Sequence, residues 1–258
     1  MIPTAAEIKT MKPALYKGDS VMSDKIVFHG KVLEPILRKK LNKPQTPITD
    51  QDISGIRELV CENIIFSPDD IADLCMLTDL DYLDIETDTS DLSYLKSFPR
   101  LTDLNILCWD REAILDLQPL TALQKLESLG ISGGLYSDIK LVNVDALTCL
   151  KQLKDIELHE FGSVDLSFLE KMPWMEYFYC VYGNRVENIE SIGKLANLKE
   201  LELTQLKVDN LDFLDTLPAD TMVDLCALEV RRGIDMGRLK RFSSIDIDEI
   251  RNVNGGEM

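Results

Sequence analysis

An apolar-x-x-apolar-x-apolar pattern recurs along the chain at intervals of 20 to 27 residues; its copies begin at Ile56, Leu80, Leu101, Leu126, Leu153, Met175, Leu198, Met222 and Phe242. Within each copy the apolar residues alternate with other residues, as in a short β-strand that buries one face. Brief segments rich in leucine and aromatic residues follow several copies, at residues 91–95, 116–120, 165–169 and 211–214. One such unit cannot bury its apolar face alone, so the succession predicts stacked units that share a core.

These units resemble leucine-rich repeats, and in their short length they resemble those of bacterial internalins. The resemblance implies an α/β solenoid, a right-handed curved array with a parallel sheet on the concave face and short helices or turns on the convex side. The array of about nine units spans residues 56–250. Residues 26–55 resemble a helical N-terminal cap, because Pro44 and Pro47 end an apolar helical stripe made of Val32, Leu33, Ile36, Leu37 and Leu41.

The two ends and the turns are less regular than the repeats. Residues 1–25 carry no clear structural pattern, and residues 251–258 are predicted to be a frayed tail. The repeat consensus places an asparagine after each strand, where its amide bonds to neighbouring turns. Because this position holds other residues here, we expect irregular turns; those residues are Ile64, Asp88, Trp109, Gly134, Phe161, Gly183, Leu206 and Val230.

The charge of the chain excludes several partner classes. The 258 residues include 45 Asp and Glu against 28 Lys and Arg, a formal net charge of -17 at pH 7. Such a chain is a poor partner for nucleic acid or for an anionic membrane surface. No apolar run is long enough for membrane insertion or for a signal peptide. We therefore expect a cytoplasmic protein, or a secreted one whose signal peptide has been removed.

Motifs for catalysis or metal binding are scarce. The two histidines, His29 and His159, have no neighbouring nucleophile, and the sequence contains no phosphate loop, HExxH or GxSxG motif. Glu200 and Glu202 could in principle act as general acid and base, but nothing in the sequence marks a pocket around them. The residue spacing of a calcium loop is also absent. We expect no enzymatic activity, no cofactor and no metal.

The six cysteines are widely spaced, without any CxxC pair, which is typical of reduced thiols. Cys61 and Cys180 occupy inward positions of their strand motifs and are predicted to be core residues. Cys108 falls at a strand end and Cys226 on the outward side of its strand. These last two are therefore the better candidates for reactive thiols.

The period of two identifies the residues that point out of the sheet. They are rich in acids and include tyrosines but no Lys or Arg: Glu58, Glu62, Tyr82, Asp84, Glu86, Asp103, Asp155, Glu157, Tyr177, Tyr179, Glu200, Glu202, Asp224, Asp246 and Asp248. Tyr182 and Trp109 lie at strand ends. Tyrosine provides contact area at modest entropy cost, together with a hydroxyl group. The candidate partner-binding residues are Tyr82, Asp84, Asp103, Asp155, Glu157, Tyr177, Tyr179, Tyr182, Glu200, Glu202 and Asp224.

The acidity is concentrated in the repeats. Residues 1–55 carry 9 basic and 6 acidic groups, residues 56–230 carry 13 and 34, and residues 231–258 carry 6 and 5. This distribution favours a noncatalytic protein–protein interaction module that binds a basic protein or peptide on an acidic, tyrosine-bearing concave sheet. The plainer interpretation is that the acids are merely a solvated surface.

Two other functions fit the pattern. One is a secreted or surface adhesin of the internalin type whose signal peptide is absent from this sequence. The other is a structural role, in which the last repeat, around Phe242, Ile245 and Ile247, pairs with another copy of the chain through its open edge.

Overall fold

The computed structural model describes residues 25–232, 235 and 237–253 of the chain. Each repeat contributes one strand to a parallel sheet: β1 (Glu58–Phe66), β2 (Tyr82–Thr87), β3 (Asp103–Cys108), β5 (Ser128–Gly133), β7 (Asp155–Asp165), β8 (Tyr177–Glu187), β9 (Glu200–Thr204), β11 (Met222–Cys226) and β13 (Ser244–Asp248). These strands lie side by side in chain order. The short strands β4 (Ile114–Asp116) and β6 (Lys140–Val142) pair with each other, and β6 also pairs with β7. A separate parallel sheet contains β10 (Lys207–Val208), β12 (Glu229–Val230) and β14 (Arg251–Asn252).

Short 3-10 helices close the repeats on the convex side. They span Ser93–Ser97, Gln118–Ala122, Val144–Cys149, Leu166–Lys171, Ile189–Lys194, Asp212–Thr216 and Arg238–Arg241. Each of the four leucine and aromatic segments identified in the sequence overlaps one of these helices. Leu95, Leu120 and Leu169 on three of them are fully buried in the same core as the strand residues. The predicted arrangement, a sheet on one side and short helices on the other, is therefore confirmed.

The inward strand positions form ladders of apolar side chains. Leu83, Leu104 and Leu129 pair in register across β2, β3 and β5, and each is at most 1% exposed. Cys61 and Cys180 occupy equivalent inward positions and are 1% and 0% exposed, so both are core residues as predicted. Parallel register keeps like residues stacked, which makes one continuous core from the repeats.

The eighth repeat has a different register from the one that its sequence predicts. Val223 of β11 pairs with Leu201 of β9 and is buried. Met222, the predicted first apolar position, faces outward instead and is 47% exposed. Thr221 beside it is fully buried, and its hydroxyl donates a hydrogen bond to the carbonyl oxygen of Leu198 (2.7 Å). A satisfied threonine can occupy a core position, which the apolar pattern alone does not reveal.

Six repeats have a non-glycine residue in the left-handed region, with φ between 50° and 59°, within or just after the repeat strand: Asn63, Glu160, Tyr182, Gln205, Ala227 and Glu249. In the fifth, seventh and eighth repeats the next residue then turns into the core, and Phe161, Leu206 and Leu228 are buried there. An apolar residue thus takes the place of the consensus asparagine in these repeats, and in the eighth it is Leu228 rather than Val230. The second and third repeats instead bury Thr87 and Cys108 at the position of the left-handed residue, so the turns are indeed irregular.

Helices α1 (Leu33–Lys40) and α2 (Asp50–Ile53) lie within residues 26–55, the predicted cap. Leu33 and Leu37 of the expected stripe are fully buried. A third helix, α3 (Pro68–Leu74), follows β1 and has no counterpart among the predicted elements, although a capping box at Ser67 begins it. No helix among the described residues is long and apolar enough to cross a membrane.

Two buried carboxylates of α3 hold the segment that precedes α1. Asp73, 2% exposed, accepts hydrogen bonds from the backbone N–H groups of His29 and Gly30, both at 2.8 Å. Asp70, 3% exposed, accepts one from the backbone N–H of Val32 at 2.8 Å. Burial acts to raise the pKa of Asp70, but hydrogen bonds, including those from Ser67 and Val32, lower it overall. The first repeat is thereby joined to the chain before it by charge-assisted hydrogen bonds.

The predicted terminal segments lie partly outside the described residues. Residues 1–24 and 254–258 lie outside the described residues, and they include most of the expected N-terminal segment and most of the expected tail. Arg251 and Asn252, the first residues of that tail, form β14 and pair with β12. The regular structure therefore extends two residues past the predicted end of the array.

Candidate functional site

The outward side chains of the nine repeat strands, from Glu58 in β1 to Asp248 in β13, form one surface, which we name the sheet face. All but one of the predicted partner-binding residues lie on it: Tyr82, Asp84, Asp103, Asp155, Glu157, Tyr177, Tyr179, Glu200, Glu202 and Asp224. Tyr182 lies within β8 rather than at its predicted end, has a left-handed backbone conformation (φ 58°) and is 44% exposed. The structure thus supports the assignment of the outward positions.

Seven of these residues form an acid–tyrosine cluster on four neighbouring strands, β7, β8, β9 and β11: Asp155, Glu157, Tyr177, Tyr179, Glu200, Glu202 and Asp224. Tyr177 lies in register between Asp155 and Glu200, and Tyr179 lies between Glu157 and Glu202. Neighbouring strands are about 4.8 Å apart, so each ring has a carboxylate on the strand to either side.

Asp155 is the most perturbed acid of the cluster. Its Oδ1 atom is buried and has no hydrogen-bond partner. Burial, followed by the charges of Glu157, Glu200 and Asp103, raises the pKa of its carboxyl group to about 6, although a hydrogen bond with Ser128 opposes the rise. A carboxylate in this position would gain from a cation brought by a ligand, because it has little water and only like charges around it.

Tyr179 adds a hydrogen-bond donor to the cluster. Burial raises the pKa of its phenol, and the carboxylates of Glu200, Asp155 and Glu157 raise it further. The ring therefore stays neutral at physiological pH. Burial also raises the pKa of Asp224, with the charges of Glu202 and Asp246 contributing.

The other predicted residues, Tyr82, Asp84 and Asp103, lie on β2 and β3 and are separated from the acid–tyrosine cluster by β5. The Tyr82 hydroxyl accepts a hydrogen bond from Asn105 Nδ2 (3.3 Å). Burial raises the pKa of Asp84, and the neighbouring Glu62 and Glu86 charges add to this effect. The candidate residues thus form two groups rather than one continuous patch.

Basic side chains pair with acids beside the sheet face rather than on it. Lys154 and Lys199 Nζ contact the Glu176 carboxylate at 3.6 and 2.5 Å, where the strands begin. Lys199 Nζ also lies 5.8 Å from the centre of the Tyr177 ring. Within the part of the chain that the structure describes, the candidate carboxylates form no salt bridge with Lys or Arg, and only His159 contacts one of them, at 3.9 Å from Glu157. Glu187, at the far end of β8, pairs with Arg185 at 2.8 Å.

A trough crosses the sheet face along β5, where the outward residues are the small Ser128, Gly130 and Ser132. It encloses a cavity of about 230 Å³, and Asp84, Asn105 and Leu107 line one side while Glu157 and His159 line the other. Asn105 leans over Gly130, so that a Cβ at Gly130 would lie 2.2 Å from its Oδ1. The sequence analysis of acids and tyrosines misses this feature, since the trough arises where side chains are absent.

An exposed apolar group stands at the end of this trough, where β3 and β5 end. Trp109, 38% exposed, donates a hydrogen bond from Nε1 to Glu86 (2.8 Å), and its ring lies against Gly134. Leu135 and Tyr136, in the turn that follows, are 62% and 87% exposed, and Tyr136 has φ 62°. We name these three side chains, Trp109, Leu135 and Tyr136, the apolar lip.

The thiols do not form a reactive site of the expected kind. Cys108 is fully buried because β3 ends with one more inward position, so the expectation of a reactive thiol there is wrong. Burial, together with the Asp248 and Asp224 charges, raises the pKa of Cys226, which lowers its thiolate fraction. Among the described residues no group of three or more His, Cys, Asp or Glu side chains could hold a metal ion.

Comparison with solved structures identifies the architecture. An internalin C2 from Listeria monocytogenes aligns with a TM-score of 0.66 and 17% identity, over 91% of this chain and 100% of that chain. The chain has an internalin-like leucine-rich repeat fold. A leucine-rich repeat protein from Leptospira interrogans aligns with a TM-score of 0.55 and 17% identity, over 78% of this chain and 56% of that one.

A third solved structure, with a lower TM-score, is that of a receptor bound to a peptide. The Arabidopsis receptor kinase HAESA, solved with a peptide hormone and a co-receptor, aligns with a TM-score of 0.50 and 16% identity, over 79% of this chain and 36% of that one. At such identities the likeness concerns the fold alone. No protein-family model matches the sequence, and a search of curated proteins finds no match.

Proposed function

We propose that the chain is a noncatalytic binding module whose sheet face holds a basic protein or peptide. The observation that carries this proposal is the row of carboxylates without cation partners, centred on the buried and unpartnered Oδ1 of Asp155. A partner that brought Lys or Arg side chains to this row would relieve the repulsion between the acids. A merely solvated acidic surface would have no reason to bury a carboxylate oxygen without a hydrogen bond.

The fold is consistent with such a role, because a structural neighbour of this chain was solved with a bound peptide hormone. In the proposed complex the carboxylates steer the approach of the partner and fix its orientation. Tyr177 and Tyr179, both half-buried on β8, provide contact area, and a hydrogen bond joins the Tyr179 phenol to Glu200. Affinity would thus come from the rings and association rate from the acids.

The test is a pull-down from soluble lysate of the source organism, followed by affinity measurement with the captured partner at low and high salt. We expect affinity to fall with salt, and to fall by about tenfold or more in the Tyr177→Ala/Tyr179→Ala variant. The Glu200→Gln/Glu202→Gln variant should mainly slow association. Glu170→Gln/Glu190→Gln, which removes two exposed charges from the convex side, is the matched control. Equal affinity for all variants would refute the assignment of the sheet face.

Self-association through the last repeat is a second candidate. Ile245 and Ile247 of β13 are only partly covered, and β13 has one neighbouring strand among the described residues. However, its outward residues Asp246 and Asp248 are exposed, and an antiparallel pair of β13 strands would bring these like charges together. Light scattering across a range of protein concentrations tests it, since a constant monomer mass would rule it out.

The location in the cell is a separate proposal. A cytoplasmic binding module and a secreted adhesin of the internalin type would use the same sheet face. Fractionation of the source organism, with detection of the endogenous protein, distinguishes the two.

A further inference from the structure

The trough along β5 differs from the rest of the sheet face. Every other repeat strand places at least one large or charged side chain outward, whereas β5 places only Ser128, Gly130 and Ser132 there. The resulting cavity of about 230 Å³ has Leu107 and Asn105 on one wall and His159 on the other. A depression of this size accommodates one long side chain of a partner rather than a small molecule, for which larger pockets are usual.

The charges around the trough select the kind of side chain. Asp84 and Glu157 line it directly. Asp155 pairs in register with Ser128 at one end, and its Oδ1 is buried without a partner. Carboxylate oxygens therefore face the depression from both sides, while Leu107 offers an apolar surface to an aliphatic stem. This combination is complementary to Lys or Arg, which carry a cation at the end of an apolar chain.

The apolar lip lies in line with the trough. The Gly134 N–H donates a hydrogen bond to the Cys108 carbonyl oxygen (3.0 Å), and the Ser137 N–H donates one to the Gly134 carbonyl oxygen (3.0 Å), which closes the turn that carries Leu135 and Tyr136. Ser137 is 4% exposed and anchors this turn. Tyr136, at the tip of this turn, has a left-handed backbone conformation, which is uncommon for a residue with a large side chain. The turn holds two large side chains in solvent beside Trp109.

We propose that an extended segment of the partner lies along β5, with a Lys or Arg side chain in the trough and an apolar side chain against the apolar lip. This inference rests on the proposed function and states which part of the sheet face gives it specificity. A strand rises about 3.3 Å per residue, so the distance from Gly130 to Gly134 is about 13 Å. An extended partner therefore places its basic and apolar residues about four positions apart.

A library of random dodecapeptides displayed on phage tests this proposal. Selection on the full chain should enrich peptides that contain Lys or Arg and, about three to five positions away, a large apolar residue. Synthetic versions of the enriched peptides are then measured by calorimetry. Replacement of the basic residue by citrulline, which keeps the shape of arginine without its charge, should weaken binding by about tenfold or more.

Matched variants locate the bound peptide. Ser132→Lys places a cation in the trough, and we expect it to weaken binding by about tenfold or more. Thr204→Lys adds the same charge in the same outward column, three strands away and beside Glu202 of the acid–tyrosine cluster, and should weaken binding less than Ser132→Lys does. Trp109→Ala/Tyr136→Ala should reduce the preference for the apolar residue without removing the need for the basic one. If Ser132→Lys fails to fold, Ser128→Lys with Met222→Lys as its control makes the same comparison.

The outcomes separate this inference from the proposed function. Basic peptides that respond equally to Ser132→Lys and Thr204→Lys, but are lost with Tyr177→Ala/Tyr179→Ala, would overturn the trough and leave the sheet face intact. Enriched peptides without a basic residue would overturn both. A failure to enrich any peptide would overturn the proposal that an extended segment is recognised, while the lysate pull-down would still test the sheet face.

Discussion

At the scale of single residues, the charge of Asp155 lowers the stability of the folded protein, and in the proposed function the same charge attracts a basic partner. Its carboxylate is held among Glu157, Glu200 and Asp103, and the pKa of about 6 means that the folded state binds a proton more tightly than the unfolded chain does. The folded state therefore loses stability as the pH rises from about 4 to about 6, and the penalty is complete above that range. This is the opposite direction from a carboxylate whose pKa is depressed by folding.

Replacement of Asp155 by asparagine should therefore stabilise the protein at neutral pH, because the amide keeps the shape and removes the charge. The gain in free energy of unfolding over the wild type should be largest above about pH 6 and should vanish near pH 4. Urea denaturation at several pH values measures it. Asp246→Asn, which removes an exposed charge from the same face, is the control with a smaller gain. A loss of stability in Asp155→Asn at pH 7.5 would contradict this account of the site.

At the scale of elements, α3 joins the first repeat to the chain before it. Removal of the Asp73 carboxylate leaves the N–H groups of His29 and Gly30 without their acceptor. We expect Asp73→Ala to lower the free energy of unfolding by about 2–3 kcal/mol, because the cost of unsatisfied donors adds to the loss of charge-assisted bonds. Asp69→Ala, which removes an exposed acid from the first turn of the same helix, serves as the control in chemical denaturation. Equal losses for the two variants would show that the buried carboxylate contributes nothing special.

The elements also show what the sequence can and cannot predict. The strands follow from the apolar pattern, because burial of one face imposes a period of two in every repeat. The register of the eighth repeat does not follow from that pattern, because Thr221 is buried with its hydroxyl hydrogen-bonded while the apolar Met222 faces solvent. Helix α3 could have been recognised from Ser67-Pro68-Asp69-Asp70, which contains a capping residue followed by proline at the first helical position.

The candidate site, too, is predicted from the sequence only in part. The outward placement of Tyr177 and Tyr179 follows from strand periodicity alone. The unpartnered Oδ1 of Asp155 and the trough over Gly130 do not, because each depends on the side chains of neighbouring strands. Register between repeats of unequal length decides those neighbours, and a single sequence specifies that register only when every motif is clear.

At the scale of the whole molecule, the repeats bury their residues unequally. The inward residues of β9 are fully buried between two strands, whereas those of β13 are half-covered because the sheet described here ends there. In a solenoid each repeat is stabilised mainly by its neighbours. Opening of β13 should therefore require less free energy than opening of the central strands.

Leu203 of β9 and Ile247 of β13 test this difference, since both occupy the same inward column, linked through Leu225. Leu203→Ala should lower the global free energy of unfolding by about 2–5 kcal/mol, as for other fully buried leucines. Ile247→Ala should cost about 1 kcal/mol and act locally, because the cavity opens toward solvent. Hydrogen exchange followed by mass spectrometry would then show faster exchange in β13 alone for Ile247→Ala, and across the central strands for Leu203→Ala. Equal losses of global unfolding free energy in the two variants would instead mean that β13 unfolds together with the rest of the array. The edge strand that carries Asp246 and Asp248 would then be as stable as the strands that carry the acid–tyrosine cluster.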